Sequence, residues 1–135
     1  MRNLIQQLAA QHVELEQALA GIRPHQFKTG EARSRLLRVR DLLRAHVGAE
    51  RNELYPVLER AARNNCRLAG QLRRLSDDLE ILTGLTDEFV HKYTTGEPGL
   101  IDFATDHSAL LTIVRIRLRR EEQLLFPLYE SACRN

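Results

Sequence analysis

The sequence predicts an all-α protein folded as an antiparallel, up-down four-helix bundle. Three observations lead there. Apolar residues recur at spacings of three and four in four long runs, with no alternating strand pattern. Gly and Pro are few, and their clusters at 21–24 and 96–99 break the chain between runs. One stretch of the chain also repeats another. Four amphipathic runs joined by short breaks pack as antiparallel neighbours.

The first run, about 3–22, carries Ile5, Leu8, Leu15, Leu19 and Ile22, and Gly21-Ile22-Arg23-Pro24 breaks it. The second, about 31–62, carries Val39, Leu43, Leu54 and Val57. Thr29 is its expected N-cap, and Glu31 suits the positive end of the helix dipole. Asn64-Asn65 separates it from the third run, about 67–94, with Leu68, Leu72, Leu75, Leu79, Leu82 and Phe89. Gly96-Glu97-Pro98-Gly99 precedes the fourth, about 102–132, with Leu110, Val114, Leu124 and Leu128. Each set falls on one helix face. The segment from Glu50 to Ala61 matches that from Glu121 to Ala132, with Tyr55 on Phe126 and Pro56 on Pro127. The bundle therefore reads as two related helical hairpins, and each Pro, lacking a backbone donor, is expected to bend its helix.

A length of 135 residues suits one domain, 1–135, with a real core. No apolar run is long enough to cross a membrane. Met1 to Ala10 lacks a basic region followed by an apolar stretch, and only two cysteines are present, so the expected compartment is the cytoplasm. Twenty basic and 18 acidic residues leave a net charge of +2, too little to draw the chain to nucleic acid. With four Phe, three Tyr and no Trp, base stacking is not expected either.

Charged and polar residues interrupt the apolar seams. His12 lies on the stripe of Leu8, Leu15 and Leu19. His46 and Glu50 share a stripe with Val39, Leu43 and Leu54, and Arg117 and Glu121 lie between Val114 and Leu124. In an antiparallel bundle these positions fall at one height, so the five side chains should meet inside. Two imidazoles and two carboxylates in a bundle interior are a ligand set for Fe, Mn or Zn. His46 and Glu50, at i and i+4, reach one ion from one helix face. The competing reading is a buried ion network in which Arg117 neutralises Glu121 or Glu50 and the histidines are neutral.

The pattern His12, then His46-Val-Gly-Ala-Glu50, then Leu54-Tyr55-Pro56, resembles the hemerythrin-like (HHE cation-binding) family, and the repeat from Glu121 to Pro127 fits its second hairpin. The resemblance spans nearly the whole chain. It implies a non-haem di-iron centre in a four-helix bundle, with O2 binding, NO or redox sensing, or iron handling as the role. By carry-over, His12 and His46 are terminal metal ligands and Glu50 and Glu121 bridging ones.

The second hairpin departs from that pattern. Arg117 stands where the fourth-helix His is expected, and no His occurs between Arg67 and Val90. Ser76 or Thr83 falls near the third-helix ligand position, and neither suits iron. Arg stays protonated and cannot coordinate. Three states follow: one metal on His12, His46, Glu50 and Glu121; no metal, with Arg117 supplying its charge; or a dinuclear site completed by Asp77, Asp78 or Glu80. The first is the leading expectation: an iron protein, with Zn as the other candidate metal. Its role is sensing O2 or NO, or handling iron, rather than O2 carriage or substrate turnover. The rival is a metal-free module that binds a partner protein.

Other features are weaker. His25, His91 and His107 fall near one end of the bundle, where a second metal site is conceivable but more simply read as loop histidines. Cys66 and Cys133 fall near the other end, as a redox pair or, more simply, as two reduced thiols. Arg33, Arg40, Arg44 and Arg51, with Arg115 and Arg119, make basic helix faces that suit solvent or an acidic partner.

Overall fold

The computed structural model describes residues 3–134. Helix α1 runs Leu4–Ala20, α2 Gly30–Ala49, α3 Tyr55–Ala61, α4 Cys66–Thr95, α5 Leu100–Arg120 and α6 Phe126–Arg134. A π turn at Glu50–Leu54 joins α2 to α3, and another at Glu121–Leu125 joins α5 to α6. The chain thus forms four long rods. The first packs on the second, the second on α4, α4 on the fourth, and the fourth back on α1. This is the expected bundle.

The helix starts follow from local chemistry. Asn3 closes a capping box with Gln6, its side chain accepting from the Gln6 N–H at 2.8 Å. Thr29 accepts from the Ala32 N–H at 3.1 Å, and Asn65 from the Leu68 N–H at 3.1 Å. The end of α1 is closed from another helix: His107 Nε2 lies 2.7 Å from the Leu19 carbonyl oxygen. His107 is buried and stacks on Phe103, so it is not a loop histidine, while His25 and His91 are exposed. The only metal-competent group found among the described residues excludes all three.

The two prolines act through the π turns. Pro56 lacks an N–H, and its ring cannot sit against the carbonyl four residues back. The turn before it opens, and the Tyr55 N–H donates to the Glu50 carbonyl; the Phe126 N–H donates likewise to Glu121 ahead of Pro127. Each opening adds a residue to the turn and shifts every later side chain around the axis. The buried positions are therefore Leu58 and Leu125, not the expected Val57 and Leu124, and Leu124 is 44% exposed.

The shift leaves a layered interior. One apolar cluster holds Leu15, Leu36, Val39, Leu43, Leu82, Phe103, Leu110 and Val114. The other holds Leu8, Leu54, Leu58, Leu72, Leu79 and Leu125. Each fully buried leucine contributes about 1.5–3 kcal/mol. In the chain, His12, His46, Glu50 and Glu121 fall between the two sets. The polar residues thus form a layer between two dry halves.

The arginine-rich faces are largely engaged within the chain. Arg33 donates to the Thr94 carbonyl, Arg44 pairs with Asp87, Arg51 with Glu80 and Arg115 with Glu16. Exposed pairs of this kind contribute about 0.2–1 kcal/mol each. Cys66 and Cys133 are free and exposed. No helix among the described residues is long and apolar enough to cross a membrane.

Candidate metal centre

Three rods supply the polar layer. His12 comes from the middle of α1 and His46 from the last turn of α2. Glu50 and Glu121 are the first residues of the two π turns. All four are buried, Glu50 completely. The i, i+4 spacing brings His46 Nε2 to 3.0 Å from Glu50 Oε1. Across the bundle, Glu121 Oε1 lies 2.8 Å from His12 Nε2 and 3.1 Å from His46 Nε2. The two Nε2 atoms face each other at 3.1 Å.

One ligand atom from each of His12, His46 and Glu121 lies within 4.8 Å of the others, and Glu50 joins the group through His46. His12, His46 and Glu121 thus form one cluster, and Glu50 sits beside it against His46. Protein groups alone leave the layer poorly satisfied. Two imidazole nitrogens pointed at each other can share at most one proton between them. Glu50 Oε2 and Glu121 Oε2 are buried without a hydrogen-bond partner among the described residues, and Glu50 Oε1 has only its ion pair with His46. A buried carboxylate in that state is costly unless a positive charge joins it. The donor set fits one divalent cation, which would accept electron pairs from both nitrogens and compensate both carboxylates.

The electrostatics carry the same strain. Burial drives Glu50 up to about 8, against the pull of His46. Burial acts to lower His46, but its contacts with Glu121 and Glu50 outweigh that and raise it to about 9. Burial acts to raise Glu121, yet hydrogen bonds from His12 and His46 hold it at about 2. The layer thus stores protons on His46 and Glu50 that a metal would displace.

Arg117 is placed elsewhere. Its Nη1 pairs with Asp78 at 2.5 Å, and Asp78 also takes Arg120 at 3.1 Å. The Arg117 side chain is 25% exposed, so pairing at the bundle's edge spares it the desolvation that contact with Glu50 would require. Arg117 and Asp78 line, with His46 and Glu121, a cavity of about 10 Å3, room for roughly one water. Asp77 and Glu80 are exposed, and Asp78 is taken by two arginines, so none of the three completes a second ion site in this structure. Because Asp78 keeps Arg120, Arg117→Ala is expected to cost less than about 1 kcal/mol, in contrast to the larger loss a buried ion network would give. Urea denaturation checks this, and a loss of 3 kcal/mol or more, on the order expected for breaking a buried pair, would return Arg117 to the interior carboxylates.

Three neighbours were not legible in the sequence. Glu122 Oε2 lies 2.8 Å from His12 Nδ1, and Gln11 Oε1 lies 2.7 Å from His46 Nδ1. Phe126 stacks on His12, ring centres 5.3 Å apart. Gln11 and Glu122 each precede or follow a layer residue in the chain, but each serves a histidine from another helix, and only rod rotation reveals that.

The family model for the hemerythrin HHE cation binding domain matches residues 3–129 of the 135. No curated protein and no solved structure matches the chain. With the repeat, the bundle and the His/Glu layer in place, the match assigns the protein: the chain belongs to the hemerythrin HHE cation-binding domain family.

Proposed function

We propose that this protein binds a single iron ion through His12, His46, Glu50 and Glu121, and that it senses a small ligand or handles iron rather than carrying O2. The observation that carries this reading is the pair of opposed Nε2 atoms beside carboxylate oxygens with no partner. Two nitrogens and two oxygens suit Fe, with Zn as the other candidate. A bound iron would supply a redox-active Lewis acid, and four protein ligands around a preferred six leave room for O2 or NO. The chain's own residues hold and neutralise the ion, and the apolar clusters on either side keep bulk water out. We place it in the cytoplasm, in keeping with its two free cysteines.

The second hairpin argues for one ion rather than two. Arg117 and Asp78, paired with each other, stand where further ligands would be needed. The same pair favours the second reading, a metal-free module that docks a partner protein.

Metal content per chain separates them. Protein made with iron and zinc supplied, and purified without chelator or affinity tag, is expected to carry about one ion per chain, held by the four buried ligands. Less than about a tenth of an ion in folded protein would favour the metal-free module.

A further inference from the structure

Each histidine of the layer has two ring nitrogens, and the structure assigns them different work. Both Nε2 atoms face inward, toward each other and toward the carboxylates. Both Nδ1 atoms face outward onto side-chain oxygens. His12 meets a carboxylate, Glu122 Oε2 at 2.8 Å, and His46 meets the neutral amide oxygen of Gln11 at 2.7 Å. An Nδ1–H that donates outward leaves the Nε2 lone pair free, and an anionic acceptor makes that lone pair a stronger donor. Glu122 is itself 49% exposed, so it is solvated and ready to accept.

We propose that Glu122 is a positioning residue for the metal centre: it holds His12 in the Nδ1–H form and strengthens Nε2 as a ligand, while Gln11 does the same for His46 without a charge. The centre is then asymmetric, with His12 the stronger of its two nitrogen donors. The asymmetry follows from this chain's own pairing of an acid on one ring and an amide on the other. It rests on the single-ion reading above.

The test is Co2+ binding by the full chain, followed by visible absorption in competition with a chelator. Glu122→Ala is expected to weaken Co2+ binding by about 10- to 100-fold, and Gln11→Ala by less. Glu122→Gln should recover part of the loss, because its amide oxygen still accepts from Nδ1–H. Glu97→Gln removes the same charge from an exposed loop and should bind as wild type does. Nitrogen NMR of the zinc-loaded protein should show a His12 Nδ1–H whose shift moves in Glu122→Ala and stays put in Glu97→Gln, a response that a purely structural role would not require. A loss below tenfold in Glu122→Ala, an equal loss in Glu97→Gln, an equal or greater loss in Gln11→Ala, or a His12 Nδ1 shift that Glu122→Ala leaves unmoved overturns this inference alone. Failure of the wild-type chain to take up Co2+ overturns the single-ion reading and this inference together.

Discussion

Replacing His46 by Ala is expected to reduce bound metal from about one ion per chain to less than about a tenth, because losing a direct ligand costs more than the 10- to 100-fold typical of its outer partners. His46 is the residue whose Nε2 lies within reach of His12, Glu50 and Glu121 at once. Its removal has a second consequence in the metal-free protein. Glu50 loses its nearest positive group and Glu121 one of its two imidazole partners, and breaking a buried pair costs on the order of 3–5 kcal/mol. Elemental analysis and urea denaturation read the two effects separately. Should the variant fail to fold, Glu50→Gln answers the metal question. Glu50 Oε2 is buried without a hydrogen-bond partner and Oε1 meets only His46, so a neutral amide there is expected to leave metal-free stability little changed while metal content falls. Full metal retention in both variants would sink the assignment of the centre.

The second large effect is on pH dependence. His46 is raised from 6.5 to about 9, so its contribution to folding is complete below pH 6.5 and is lost as pH rises through about 9. Glu50 is raised from 4.5 to about 8, so the folded state again holds the proton more tightly, and that contribution is lost as pH rises through about 8. Glu121 has the opposite sign. Held at about 2 against an ordinary 4.5, it stabilises above 4.5, and the benefit is lost as pH falls toward 2. Metal-free protein should therefore melt highest near about pH 5 and lower steadily toward about pH 9. A divalent ion displaces the protons on His46 and Glu50, so its affinity rises over the same interval. The gain in Tm on adding Zn2+ should be larger at about pH 8.5 than at about pH 6, measured by calorimetry at fixed excess metal. An equal gain at both values would mean that these two groups are not displaced.

The comparison of sequence with structure divides by element. The four rods appear at nearly the predicted limits, because the apolar period and the Asn3, Thr29 and Asn65 side chains act within a turn or two of chain. The layer of His12, His46, Glu50 and Glu121 was legible for the same reason: a charged residue on an apolar stripe must turn inward. Beyond the π turns that local logic failed. A regular period puts Val57 and Leu124 in the core, and the open turns ahead of Pro56 and Pro127 put Leu58 and Leu125 there. Arg117 sits on the right stripe, but a long flexible side chain can reach an edge partner, and Asp78 lies on a different rod.

What the sequence alone determined is the bundle, its repeat and the residue types brought to its centre, since helical periodicity is written in neighbours three and four apart. Tertiary structure decided which atoms meet: Glu122 on His12, Gln11 on His46, Asp78 on Arg117. Those contacts join separate rods, and hydrogen bonds weaken steeply with small changes in distance and angle. They depend on the rotation and height of one helix against another, which no local run of residues encodes.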